Sequence, residues 1–371
     1  MSGSQTNNLT NPAVPNNTEV DTLLIEKFNG KVHEVYQKGE NLLSKFPSEL
    51  VVGTDMISNK SMGETTLQTL TPGQKPEATN DVEFNKNAFV VDTIVLGRNN
   101  VHSLHNLQND FRVMDKLVKS QVGSLKTVED QMVLQQIAAG GLTGGVFNPS
   151  ANTITGGISR VAGQGVAINV DLKDDLSQVD DPYQLVSAIE IAILGLIIQK
   201  VPITEMLIVV PVYEYSLLTD FGWIAKVEGG NNETSDLTAQ GMVGTFKSFN
   251  IPIRGSVEFS QAKANPNGGL EHAFMSNVNN AYRYDFTSDM EAANALVYGS
   301  EALLAGRTME LMTDIYFDKD SKGNVVDSWY AQGAIYDRYD NIAIVNSNAV
   351  AENTAVSTKA KGKAKATKTY S

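Results

Sequence analysis

Four histidines, His33, His102, His105 and His272, are all that this 371-residue chain has for acid–base work near neutral pH. His102 and His105 stand three apart at the expected start of a long helix, a spacing that sets two imidazoles on one face. A zinc site there needs a third ligand, and neither an HExxH motif nor a carboxylate cluster lies nearby. They read as polar residues of a helix start. Asp174-Asp175 and Asp180-Asp181 have the residue types of metal or general-acid groups, but in a polar stretch before a helix they read as solvated loop and cap residues. Asp318, Asp320 and Asn324 echo a calcium loop, yet the spacing fails and no glutamate closes it. They read as turn residues. Gly163-Gln164-Gly165 lacks the third glycine of a dinucleotide fingerprint, and neither a Gly-Lys-Ser/Thr loop nor a GxSxG elbow occurs. Cysteine is absent, which removes disulfides, thiolate metal sites, thiol catalysis and iron–sulfur chemistry. The residues therefore assign no catalytic group, no metal ligand and no cofactor. The expectation is a protein that is not an enzyme.

Composition narrows the classes further. Hydrophobic residues make up 42% and charged residues 19%, enough apolar material for one large domain or a few smaller ones packed together. With 29 Lys+Arg against 42 Asp+Glu, the formal charge is −13, the wrong sign for a protein whose main task is gripping phosphate. The uninterrupted apolar run Ile191 to Ile198 falls far short of the roughly 20 residues a bilayer needs. The Asn/Thr/Ser-rich start, Met1 to Val20, has no Lys, no Arg and no apolar core segment, so it does not read as a signal peptide. A soluble product that stays where it is made is expected.

The elements that would position any site form a mixed set. Residues 1–20 read as a polar, flexible arm. Glu19 to Leu43 carries a moderate helical pattern at Ile25, Phe28, Val32, Val35 and Tyr36. Between Val51 and Val101, alternation through Thr66-Leu67-Gln68-Thr69-Leu70, the turn Thr71-Pro72-Gly73-Gln74 and the return Phe89 to Val95 describe a long β-hairpin with a polar tip. A two-stranded hairpin is marginal in water alone and wants a surface to lie on. Leu107, Phe111, Met114, Val118, Val122, Leu125, Val128, Met132 and Ile137 predict a helix over 105–138, a rod of about 50 Å, with Gly140-Gly141 as its stop. Gly141 to Gly165 predicts loops with short strands. A second helix follows Asp181-Pro182 and runs to Lys200, then a buried strand over Met206 to Pro211 and a short helix over Val212 to Phe221. A loop spans Gly229 to Asn232, and Gly244 to Gly255 reads as turn, strand, turn. Ala295 to Gly299 and Thr308 to Phe317 are expected to form one strand pair or more, and a polar turn at 318–324 leads into Val325 to Tyr339 as an extended hairpin. The class is α+β. After Glu352 the chain ends with five lysines, Lys359, Lys361, Lys363, Lys365 and Lys368, and no acidic residue. It reads as a solvated tail, and lysine tails also attract polyanions.

The order and length of these pieces resemble the major capsid proteins of tailed bacteriophages, short-tailed ones above all, which have the Hong Kong-97 fold. The likeness spans about residues 24–345. It is carried by Phe28-Asn29-Gly30-Lys31-Val32 with Phe46-Pro47, by Ser58-Asn59-Lys60-Ser61 through Thr71-Pro72-Gly73-Gln74-Lys75, and by the helix from Leu104 to Ile137. Met206 to Phe221, Val243 to Ile253, Ala302 to Gly306 and Met309 to Gly333 complete it. The resemblance implies a flexible arm at 1–27, an N-terminal helix region at 28–50 and an extended loop at 51–100. It further implies a peripheral domain at 101–175 and 286–345 around a spine helix, an axial domain at 176–285 and a flexible tail at 346–371. It implies a subunit that assembles with itself into hexamers and pentamers of an icosahedral shell around double-stranded DNA. Assembly in the host bacterial cytoplasm, a scaffolding protein, a portal, a cement or decoration protein and non-specific contact with packaged DNA come with it; a membrane does not. In the loop, Lys60, Glu64, Lys75, Glu77, Asp81, Glu83 and Lys86 offer mixed charge for pairing with a neighbouring subunit. Some members of the fold cross-link Lys to Asn, but no catalytic Glu aligns here, and covalent cross-linking is not expected. An encapsulin-type cargo shell shares the fold, and a hydrolase with an unrecognised acidic site is the reading from another class.

Overall fold

A computed structural model describes residues 48–51, 54–63, 67–75, 84–102, 112–161, 164–172, 182–226, 243–257, 292–320 and 322–347, with Leu42, Phe46, Phe259 and Met290. In chain order the strands begin with β1 (Ser48–Leu50), β2 (Met56–Met62), β3 (Phe84–Val90) and β4 (Val95–His102), after which comes helix α1 (Arg112–Leu142). Then follow β5 (Val146–Asn148), β6 (Thr153–Thr155), β7 (Ile168–Asp171), helix α2 (Pro182–Ile198), β8 (Leu207–Pro211) and helix α3 (Val212–Asp220). The last are β9 (Ile224–Lys226), β10 (Val243–Phe246), β11 (Ile251–Ser256), β12 (Ala293–Tyr298), β13 (Leu303–Asp318), β14 (Gly323–Tyr336) and β15 (Ile342–Asn346).

Two mixed sheets carry the body. The larger has seven strands in the order β7-β15-β12-β8-β11-β10-β9, and the smaller four in the order β1-β13-β14-β4. Strands buried on both faces need apolar side chains at every position rather than at alternate ones, and β8, β12 and β15 have them. Their odd and even residues part into two cores. Val209, Leu296, Ile342 and Ile344 face the side on which α1 packs, while Ile208, Val210, Val297, Ala343 and Val345 face α2. Helix α2 is predominantly apolar and buried at Leu185, Val186, Ile189, Ile193 and Leu196, as expected of a helix largely enclosed by its neighbours.

Helix α1 serves both sheets. Its middle lies on the four-stranded one, where Gln121 Nε2 donates to Val326 O at 3.1 Å, Ser328 Oγ donates to Gln121 Oε1 at 2.9 Å, and Tyr330 OH donates to Leu125 O at 3.2 Å. Its C-terminal end lies on β15. The helix runs through Gly140 and Gly141 instead of stopping there. A Cβ at Gly141 would stand 2.7 Å from Ile344 Cβ, and one at Gly140 would stand 2.8 Å from Ile342 Cδ1. The pair permits close helix–sheet approach and is not a cap. His102 ends β4, opposite Gly323, rather than opening a helix.

Other differences are local. The paired hairpin strands are β2 and β3, with Met56 opposite Val90 and Met62 opposite Phe84. The alternating run at Leu67 to Leu70 forms no strand; its residues are all exposed, so its alternation has no buried face to serve. The turn at 71–74 is present, with Gln74 N donating to Thr71 O at 3.0 Å and Gly73 at φ 93°. Residues 245–253 form two antiparallel strands, β10 and β11, rather than one, and the expected pairing of Ala295–Gly299 with Thr308–Phe317 does not form, because β12 pairs with β8 and β15 in the larger sheet while β13 pairs with β1 and β14 in the smaller. Asn250 at φ 56° closes the turn between them, a conformation asparagine tolerates. Asp320 N donates to Asp318 Oδ1 at 3.1 Å, an aspartate turn as expected. The expected helix over Glu19 to Leu43 apart from Leu42, the loop at Gly229 to Asn232, Asp174-Asp175, Asp180-Asp181, His33, His105 and His272 lie outside the described residues.

Candidate subunit interface

The β2–β3 hairpin is a two-stranded sheet of its own, so its position depends on what its inner face touches. Side chains alternate between faces. Ile57 and Phe89, opposite each other, are buried in the main core. The next pair along, Asn59 and Asn87, meets a carboxylate: Asn59 Nδ2 donates to Asp337 Oδ2 at 2.6 Å, and Asn87 Nδ2 donates to Asp337 Oδ1 at 3.3 Å and to Tyr336 O at 2.8 Å. The Arg160 guanidinium donates to Asp337 as well, and to Asn59 O at 2.9 Å. Asn85 Nδ2 returns a bond to Arg160 O at 2.8 Å, and Gln164 Nε2 reaches Met62 O at 3.3 Å. The Arg160 and Asp337 side chains are only 5% and 6% exposed. Buried charges persist when paired and fully hydrogen-bonded, and this pair is. The result is a polar clamp that sets the hairpin at a fixed attitude to the body.

Beside the clamp, a cleft of about 800 Å³ is bounded by β2, the end of α2 at Ile198 to Lys200, and Glu301, Leu304 and Arg338. Arg338 bonds Asp340 Oδ2 at 2.6 Å and Glu301 through its other nitrogen. Hydrogen bonding to Asp340, with the charges of Asp340 and Glu301, holds the guanidinium pKa above its usual value. The charges lining the cleft are thus largely paired among themselves.

Lys60, Lys75 and Lys86 are exposed, whereas Glu64, Glu77, Asp81 and Glu83 lie outside the described residues. Lys60 and Lys86 are direct cross-strand partners. The structure therefore brings together two like charges, a juxtaposition that is unfavourable unless something else answers it. The loop also exposes apolar side chains: Leu67 at 94%, Phe84 at 70%, and Met56, Met62 and Leu70 at about half. Single exposed apolar residues are ordinary, but a cluster on one projecting element marks an interaction surface.

A second exposed face lies on the four-stranded sheet. Arg98 of β4 pairs bidentately with Asp327 of β14, at 2.8 and 2.7 Å, and that bond raises the guanidinium pKa. Around it Leu96, Met312 and Tyr316 are exposed. Sequence reasoning missed this face because Val95-Leu96-Gly97-Arg98-Asn99-Asn100 carries little strand signal, and β4 exists through its pairing with β14. Among the described residues no group of three or more His, Asp or Glu side chains is placed to hold a metal ion. No described helix is long and apolar enough to cross a membrane.

No family model matches the chain, and no curated protein matches it in sequence. Its fold does match solved structures. The subunit in the asymmetric unit of the bacteriophage PhiM1 mature capsid is 18% identical with a TM-score of 0.54, over 82% of this chain and 86% of that one. The capsid subunit of cyanophage P-SCSP1u is 14% identical with a TM-score of 0.58, over 83% and 88%. The capsid subunit of Ralstonia phage GP4 is 14% identical with a TM-score of 0.51, over 83% and 88%. The chain has the α+β fold of phage capsid subunits.

Proposed function

We propose that this chain is the major capsid protein of a tailed bacteriophage: a structural, non-enzymatic subunit that assembles with itself into hexamers and pentamers of an icosahedral shell around double-stranded DNA. The observation that carries the reading is the likeness of fold to phage capsid subunits over more than four-fifths of the chain. The clamped hairpin with an uncovered apolar surface supports it. In this reading α1 is the spine helix of a peripheral domain at 101–175 and 286–345, and residues 176–285 form the axial domain. The seven-stranded sheet crosses that boundary, because β7, β12 and β15 supply three of its strands. The hairpin is the extended loop that lies over an adjacent subunit. Weak contacts repeated over several neighbours add up by multivalency while each remains reversible during assembly. A net negative chain also leaves packaged DNA free to slide where a basic wall would trap it. Scaffolding protein, portal and cement protein are the further partners, with the lysine tail a candidate contact for a polyanion.

The test is negative-stain electron microscopy with sedimentation velocity on the protein expressed alone and beside a scaffold. Closed particles, tubes or rings of five and six are expected. A monomer that persists at high concentration under both conditions overturns the reading.

A further inference from the structure

Three aromatic rings meet at one corner of the body, at the start of α2 and just past the end of α3. Tyr183 is the second residue of α2, and Phe221 and Trp223 flank Gly222. The local chain fixes two of the three. Gly222, at φ 74°, closes α3 with a left-handed cap: its N donates to Thr219 O and Trp223 N donates to Leu218 O, both at 3.0 Å. The Tyr183 ring centroid lies 6.4 Å from that of Phe221 and 6.3 Å from that of Trp223, with interplanar angles of 66° and 88°. Rings at such angles form adjoining walls rather than a stack. Tyr183 and Trp223 are half-buried, and Phe221 is 51% exposed. Asp220 is exposed beside Phe221, and Glu190 stands about two turns along α2 from Tyr183, on the same side. Against these two acids stands Lys247, whose backbone N donates to Trp223 O at 3.1 Å. A corner walled by π faces and edged with carboxylates has the chemistry that receives an ammonium group.

The course of the chain says which ammonium is at hand. The end of α2 lies over the start of β7: Val166 N donates to Gln199 Oε1 at 2.8 Å, and a Cβ on Gly195 would stand 3.0 Å from Ile168. The helix therefore runs back along β7, and Tyr183 stands at the end of the sheet where β7 finishes. Strand β15 is parallel to β7, with Asn346 opposite Asp171, so the chain leaves the sheet at that same end. Beyond it come Lys359, Lys361, Lys363, Lys365 and Lys368, separated mostly by Ala, Gly and Thr. Small neighbours let a lysine enter a shallow corner, and spacing by two puts lysines of an extended run on one face. From β15 across to β9 the sheet is about 24 Å wide at the usual strand separation. The stretch from Ser347 to Lys359 spans up to about 40 Å.

We propose that Tyr183, Phe221 and Trp223 form a cage for a lysine of the chain's own C-terminal tail, within residues 359–368, which folds back over this end of the seven-stranded sheet. The cage takes the ammonium group by cation–π attraction, with Asp220 and Glu190 adding charge, and the tail covers the exposed Phe221 ring. Five lysines on a chain whose total charge is −13 are drawn to the rest of it in any case; the rings decide where they settle. A polyanion and the cage then compete for the same lysines. The inference stands apart from the shell-subunit reading, because cage and tail belong to one chain.

The test uses the full chain with a photoreactive benzophenone amino acid placed at Phe221. Irradiation is expected to join position 221 to peptides from residues 357–371 in material that still runs as a monomer on a denaturing gel. Replacing all five tail lysines by glutamine is expected to lower that yield about tenfold. Separately, Phe221→Ala is expected to speed tryptic cleavage within the tail several-fold and Phe221→Tyr to restore protection, with the thermal melt of both variants unchanged. Cross-links that fall elsewhere, or that join only different chains, overturn the proposal. So does a yield indifferent to the lysines, or a tail cleaved equally fast with and without the Phe221 ring.

Discussion

Asp337 joins the hairpin to the body at a single carboxylate, which accepts from Asn59, Asn87 and Arg160. Removing one partner of a buried pair leaves the other charge uncompensated. Asp337→Ala is therefore expected to cost about 3–5 kcal/mol in denaturant unfolding and to speed proteolysis at the hairpin root. None of this clamp was legible beforehand, since Asn59 and Asp337 stand 278 residues apart and nothing in the local sequence of either announces the other. Asp171 is a different case. It ends β7, is nearly enclosed, and burial pushes its carboxyl up from 3.8 to about 6. The folded chain thus holds this proton more tightly than the unfolded one. The group favours the fold below pH 3.8, and that contribution is lost as pH rises through about 6. Asp171→Asn is expected to melt above wild type near neutral pH, with the gap closing as the solution is acidified below pH 3.8. A gap that widens in acid refutes the assignment.

Among the elements, α1 contains glycines of two kinds. At Gly123 a Cβ meets nothing within 4 Å, whereas at Gly141 it collides with Ile344. Gly123→Ala is expected to stabilise by about 0.4–1 kcal/mol through the unfolded chain and helix propensity. Gly141→Ala should destabilise by about 1–3 kcal/mol through overpacking; thermal melts of the two variants separate the effects by sign. Apolar periodicity revealed α1 and, with the Asp181-Pro182 start, α2, while two strand-like runs about a polar turn revealed the β13–β14 hairpin. It misread the Gly140-Gly141 pair, since a helix stop and a close helix–sheet contact ask for the same residue. It also misplaced the hairpin strands: Leu67 to Leu70 alternates without being buried, while Met56 to Met62 is mostly polar and pairs because Ile57 and the asparagines have partners across the body. Lys60 and Lys86 were visible as charged loop residues, but only the cross-strand register makes them a pair.

For the molecule as a whole, one helix braces two sheets. Hydrogen bonds from Gln121, Ser328 and Tyr330 tie the middle of α1 to the four-stranded sheet, and Gly140 and Gly141 seat its end on the seven-stranded one. A displacement of either sheet must be felt by the other. The order of the larger sheet has a consequence of another kind. Strand β15 lies between β7 and β12, parallel to one and antiparallel to the other, with all five residues buried. During synthesis β7, α2, β8, β11 and β12 leave the ribosome well before it, yet β7 has no place in the sheet until β15 arrives. Folding of the larger sheet therefore stays incomplete until β15 has emerged: one strand near the end of the chain sets when the sheet can close.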